Sequence, residues 1–233
     1  MNPVGAVEMM ATVPLFSGLP KAALGELGSS FRRKEFPPGA AIFRQGDPGG
    51  EMLVIFSGRV KIETTTPRGR RTVVALLGPG DLFGELSLID GAPRMGDAVC
   101  MDRVEAWSLS ASDFYPCLEA HPELASGFLR ILASRLRDAD AAFQDIVFLD
   151  IPARVAKRLL ELAESHGTER DGAIELGMPL TQGELAKMVG ASRERVNRAL
   201  AGFAAAGLVE AHGRRYTIRD VAGLRAATKG PRR

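Results

Sequence analysis

The chain has 233 residues, 45% hydrophobic and 25% charged, an ordinary balance for a globular protein, with a formal net charge of +2. No run of about 18 apolar residues occurs, so no membrane span is expected, and the amino-terminal MNPVGAVEMMATVPLF lacks a basic stretch ahead of its apolar part, so no secretory signal is expected and the protein reads as cytoplasmic. Cys100 and Cys117 stand far apart, and His121, His166 and His212 are scattered, which argues against an iron–sulfur cluster or any other metal site.

From about Val13 to Phe114 the pattern predicts an all-β domain. Short apolar or alternating runs at Ala41–Phe43, Met52–Phe56, Val60–Thr64, Thr72–Leu77, Asp97–Met101 and Val104–Leu109 are separated by Gly- and Pro-rich breaks. Regular short strands with turn signals point to a sandwich or barrel. Arg68-Gly69-Arg70 reads as a hairpin tip. A β-domain enzyme of the cupin type needs a set of metal-binding histidines on its strands. No histidine precedes His121, so no catalytic residues are expected.

A long helix is predicted from near Pro122 to Leu149, since proline suits a first helical turn. It carries two apolar lines. Phe128, Leu132, Arg135, Ala139, Ala142, Ile146 and Leu149 make a coiled-coil-like seam, expected to face the same helix of a second subunit. Leu129, Leu136, Phe143 and Val147 make a second line, expected to pack on the β domain. Asp150-Ile151-Pro152 then breaks the helix, because the residue before proline is pushed out of the α region. That makes a hinge, and Ala153–Ser165 reads as the next helix.

Thr181–Phe203, TQGELAKMVGASRERVNRALAGF, reads as two short helices around a tight turn. Thr181 with Glu184 forms a capping box, Gly190 supplies a left-handed turn residue and Ser192 caps the second helix. Leu185, Val189, Val196, Leu200 and Phe203 lock the pair together, leaving Arg193, Glu194, Asn197 and Arg198 at the exposed leading end. This is the layout of a helix-turn-helix, whose second helix enters the major groove of duplex DNA. Leu208–Ala211 and Arg215–Ile218 predict a hairpin with His212 and Arg214 at its tip, which makes the module a winged helix with phosphate contacts at the wing. From Thr181 onward the chain holds eleven Lys and Arg against four Asp and Glu, a charge of +7 on a body of −5. Such clustering is the electrostatic footprint of phosphate binding. The last residues, Lys229–Arg233, read as a frayed end.

Taken together, GDLFGELSLIDGAPR, the helix end FLDIPARVAKRLLELA and TQGELAKMVGASRERVNRAL resemble the cyclic AMP receptor protein/FNR family of bacterial transcription regulators, over about Leu15 to Ile218. The resemblance implies an α+β protein in three parts. Residues 1–120 form a cyclic-nucleotide-binding β jelly roll, 121–150 a dimerisation helix and hinge, and 151–233 a winged helix-turn-helix. It implies a nucleotide site, for cyclic AMP first, with another cyclic nucleotide such as cyclic di-GMP or no effector as the alternatives, built from Phe83, Gly84, Glu85, Leu86, Arg94, Met95, Arg135 and Asp140. Glu85 takes the ribose and Arg94 the phosphate, and Arg135 reaches toward Glu85 or the phosphate. Met95 stands where the family usually has Ser or Thr. Ala139 and Asp140 replace the polar pair that contacts adenine, so Asp140 is left to accept from the N6 amino group. The resemblance also assigns Arg193, Glu194 and Arg198 to base reading in palindromic, TGTGA-like half-sites, and Thr181, Ser192 and Arg195 to phosphates. It implies RNA polymerase as a partner.

Overall fold

The computed structural model describes residues 10–11, 13, 15–16, 18–67, 69 and 71–229. The first nine residues, Arg68 and Arg70 of the expected hairpin tip, and residues 230–233 of the expected frayed end lie outside that set. The chain divides into two compact units, Met1–Arg137 and Asp138–Arg233. The first unit holds α1 (Lys21–Ser30), β1 (Arg32–Phe36), β2 (Ala41–Phe43), β3 (Glu51–Ser57), β4 (Val60–Thr65), β5 (Arg71–Leu77), β6 (Leu82–Phe83), α2 (Glu85–Asp90), β7 (Asp97–Cys100), β8 (Val104–Ser110) and α3 (Ala111–Ala120). Helix α4 (Glu123–Phe148) spans the division between the units. The second unit continues with α5 (Ile151–His166), β9 (Gly167–Arg170), β10 (Ala173–Leu176), α6 (Gln182–Met188), α7 (Arg193–Ala205), β11 (Val209–His212), β12 (Arg215–Ile218) and α8 (Val221–Ala227).

The strands of the first unit form two four-stranded sheets, β1-β8-β3-β6 and β2-β7-β4-β5, with neighbouring strands antiparallel. Strand β3 explains the layering. Its MLVIF run is apolar without alternation because both of its faces are covered. Leu53 and Ile55 join Val60, Phe83, Ala98, Cys100, Val104 and Ala106 in a core between the sheets. Met52 and Val54 point the other way, into a second core with Leu24 and Leu27 of α1, Trp107 and Leu109 of β8, Phe114 of α3, and Leu124 and Phe128 of α4. Phe128 meets Phe114 edge to face, with ring centres 5.1 Å apart and planes at 89°.

Two expectations are corrected here. The stretch from Val13 to Phe114 is not all β, because α1 and α2 lie within it. The packing expected of the second line on α4 is corrected as well. Phe128 of the expected subunit seam is buried in the chain's own core, with Ile131 packed against it. Leu129, Leu136, Phe143 and Val147, expected on the β domain, are instead 66, 64, 67 and 54% exposed. A helix fixes which residues share a face, but its rotation depends on what it packs against, and here the aromatic ring at position 128 decides it.

In the second unit, Asp150 caps α5 by accepting from the Ala153 N–H at 2.9 Å, and Pro152 sits in the first turn. Val155, Leu159 and Leu162 of α5 are buried, as are Leu180, Leu185, Val196, Leu200, Phe203, Tyr216, Ile218 and Leu224. The sheet runs β11-β12-β10-β9.

Phe128→Ala is expected to cost roughly 3–5 kcal/mol, the usual range for an aromatic ring removed from a packed core. Urea unfolding of wild type and variant measures this. A loss no larger than that of an exposed-site substitution would mean that α4 is not held by this ring.

Candidate functional site

The loop from Leu82 to Met95 brings together two buried charges of opposite sign. Glu85 is 0% exposed and Arg94 is 4% exposed. Their placement follows from local chemistry. Gly84 caps α2 with φ of 81°, and a Cβ there would lie 2.7 Å from Arg94 Nη1, so only glycine fits. Glu85 is therefore the first residue of α2, where the helix dipole favours a carboxylate.

The Arg94 fork donates through Nη1 to the Gly84 carbonyl at 2.6 Å and through Nη2 to the Glu51 carbonyl at 2.7 Å. Its guanidinium carbon lies 4.2 Å from the centre of the Phe43 ring. Burial lowers the pKa of Arg94, and the charges of Glu51, Glu85 and Asp47 oppose that shift. Arg135, on α4, donates from Nη1 to Glu85 Oε1 and from Nη2 to the Leu82 carbonyl. Glu85 Oε2 and Arg94 Nε are buried without a hydrogen-bond partner among the described residues. An unpaired buried polar atom of this kind costs about 1–3 kcal/mol. Phe83 is buried in the inter-sheet core and Leu86 is half-buried, whereas Met95 is 58% exposed. Asp140 is an exposed residue of α4.

In the second unit the local signals take their expected form. The Thr181 hydroxyl accepts from the Glu184 N–H at 3.1 Å, and Glu184 Oε2 accepts from the Thr181 N–H at 2.9 Å. Thr181 Oγ1 also donates to Glu184 Oε2 at 2.8 Å, so its single hydrogen is already used. A phosphate contact from Thr181 would have to displace that bond. Ser192 accepts from the Arg195 N–H at 3.4 Å and starts α7. Gly190, with φ of 62°, turns the chain between α6 and α7. Ser192, Arg193, Glu194, Arg195, Asn197 and Arg198 are all exposed. Arg195 and Arg198 also line a cleft of about 700 Å³ together with Asp150, Ile151, Arg154 and Phe203. At the wing, His212 and Arg214 are exposed, and Arg214 lends its carbonyl to the Leu180 N–H at 2.8 Å. Behind the tip, Arg219 donates to Glu210 at 2.9 Å and holds that carboxyl below its usual range.

A family model for the cyclic nucleotide-binding domain matches residues 33–121, and one for the Crp-like helix-turn-helix domain matches residues 153–227. The chain belongs to the Crp/Fnr family of transcription regulators. This Crp-family regulator is 39% identical to a CRP-like cAMP-activated global transcriptional regulator of Mycobacterium tuberculosis, over 91% of this chain and 95% of the relative. It is 35% identical to the cyclic AMP receptor protein of Thermus thermophilus, over 90% and 94%. Among solved structures it is similar to the c-di-GMP responsive regulator CLP of Xanthomonas campestris, with TM-score 0.78 and 24% identity over 86% of this chain and all of that one. That likeness shows the fold.

Three parts of the regulator escaped sequence reasoning. The Glu51 and Gly84 carbonyls bind Arg94 through the main chain, which leaves no side-chain signature. Phe43 lies under Arg94 from a strand far earlier in the chain. Gln182, hydrogen-bonded to Asn197, carried a usable signal, since it directly follows the N-cap of the helix-turn-helix. Among the described residues no cluster of His, Cys, Asp and Glu is arranged to hold a metal ion, and no helix is long and apolar enough to cross a membrane.

Burial pushes the thiols of Cys100 and Cys117 up to about 11. A raised thiol pKa keeps the neutral, unreactive form at physiological pH. Each thiol therefore favours the folded protein less as pH rises from about 9, where the unfolded thiol ionises, toward about 11. Ellman's reagent at pH 8 is expected to label the folded protein far more slowly than the urea-unfolded chain. Equal rates would mean that one of these cysteines is an accessible thiolate.

Proposed function

We propose that the protein acts as a homodimer that binds palindromic duplex DNA with TGTGA-like half-sites, under the control of a cyclic nucleotide held in its first unit, cyclic AMP first. One observation carries the reading. Glu85 and Arg94 are opposite charges buried in one loop, and each keeps an unpaired atom. A cyclic phosphodiester has one negative charge and one free ribose hydroxyl, the complement of that pair. Arg94 takes the phosphate charge, Glu85 accepts from the 2′-hydroxyl, and Gly84 leaves the main chain open to close approach. Arg135 joins the site through Glu85, with Phe83, Leu86 and Met95 on the same loop. The names of the Mycobacterium and Thermus relatives support cyclic AMP as the effector.

Leu129, Leu136, Phe143 and Val147 form an exposed apolar line along α4, which supports two-fold pairing of that helix. A two-fold pair sets its recognition helices roughly 34 Å apart, one turn of DNA. Arg193, Glu194 and Arg198 then read base edges, while Ser192, Arg195, His212 and Arg214 contact phosphates. The nucleotide acts by binding the DNA-competent arrangement more tightly than the other. The regulator works in the cytoplasm, where RNA polymerase is its partner.

A second reading, control by another nucleotide such as cyclic di-GMP or by none, is favoured by one feature. Both Arg94 fork nitrogens and one Glu85 oxygen are already braced by the protein itself. Titration calorimetry with cyclic AMP, cyclic GMP and cyclic di-GMP separates the readings. Cyclic AMP is expected to bind the wild type and to lose binding in Arg94→Leu, with the circular dichroism spectrum retained. Heat from cyclic GMP or cyclic di-GMP alone, or nucleotide-free operator binding with no heat from any of the three, would establish the second reading instead. Arg193→Ala is expected to cost roughly 1–3 kcal/mol on a TGTGA palindrome in mobility-shift titrations. An equal loss on random duplex would make Arg193 a backbone contact.

A further inference from the structure

Two amides join the leading ends of the paired helices. Asn197 Nδ2 donates to Gln182 Oε1 at 3.0 Å. Gln182 is the first residue of α6, and Asn197 stands on α7 four positions after Arg193 and three after Glu194, which puts it on their face of the helix. Asn197 is exposed, so the bond is no requirement of the core. A hydrogen bond between exposed amides adds little stability, because water competes for both groups. Its consequence is orientation.

The bond holds the plane of the Asn197 amide and uses one of its two N–H groups. Oδ1 remains as an acceptor beside the second N–H as a donor. In the major groove adenine presents a donor at N6 beside an acceptor at N7, which matches that pair, whereas guanine presents two acceptors. We infer that Asn197, positioned by Gln182, selects an A·T pair in each half-site, alongside the base pairs taken by Arg193 and Arg198. The inference rests on the proposed placement of α7 in the major groove. It adds a specificity contact that the arginines and Glu194 do not supply, and it makes Gln182 a positioning residue.

The test uses full-length protein, with and without saturating cyclic AMP, on palindromic duplexes in which each half-site position carries each of the four base pairs. Wild type is expected to favour A·T over G·C at one position by roughly 5- to 100-fold. Asn197→Ala is expected to flatten that position and leave the preferences at guanine positions unchanged. Gln182→Leu, which cannot accept a hydrogen bond, is expected to weaken the same preference. Gln182→Glu keeps an acceptor oxygen and is expected to retain the preference, while binding all duplexes less tightly because its charge faces the phosphates. Asn197→Ala that shifts every position alike, or none, overturns the inference. Gln182→Leu with an intact A·T preference overturns the positioning role. A wild type that reads guanines but no A·T pair sinks the inference alone, and a wild type flat at every position sinks the DNA-recognition reading with it.

Discussion

Strand β3 has no face left for water, and the first unit is organised around that constraint. Leu53 and Ile55 close the core between the sheets. Met52 and Val54 fasten α1, α3 and the start of α4 to the opposite side. The main chain of the same strand supplies the Glu51 carbonyl to Arg94, and Leu53 pairs with Phe83 at the entrance to the Gly84–Glu85 turn. One strand thus holds the charged loop and the base of the long helix in a single packed body. Interiors packed at this density resist small shifts. Arg135 ties the charged loop to α4 through its bonds to Glu85 and the Leu82 carbonyl.

The second unit solves a different problem, that of presenting cations without letting them collapse onto nearby carboxylates. Glu184 is held in the Thr181 capping box, and Glu210 is hydrogen-bonded to Arg219. Arg154 donates to the Val189 carbonyl at 2.9 Å and ties α5 to the turn of the helix-turn-helix. The cations on the leading face of α7 are left exposed.

Much of this was legible in the sequence because the signals were local. The Thr181–Glu184 box, the Ser192 cap and the wing strands need only neighbours in the chain, and the apolar strands need only alternation or a short hydrophobic run. Other elements were not legible, for physical reasons. Strand β1, RRKEF, is a strand because it pairs with β8 at a sheet edge, where Arg33 meets Glu105 at 2.7 Å; its composition alone reads as loop. Strand β9, GTER, is exposed at all four positions and shows no apolar alternation, although the Asp171-Gly172 dipeptide after it is a hairpin signal. The rotation of α4 could not be read from spacing, since both lines fit a helix and only the ring contact of Phe128 with Phe114 selects between them. At the candidate site, Glu85 and Arg94 were legible as a motif, while their bracing through main-chain carbonyls was not.

The junction at Leu149–Asp150 has a mechanical consequence. Helix α4 ends with its own bond from the Leu149 N–H to the Asp145 carbonyl, and α5 starts with a fresh cap from Asp150. Each helix is closed on its own side, so swivelling about the joint breaks no main-chain hydrogen bond in either. The resistance left to such a swivel includes the Lys157–Asp145 ion pair, 2.5 Å long and partly open to solvent, which bridges the two helices. Ionic strength screens such pairs, so the stiffness of this elbow is tunable by the salt around it.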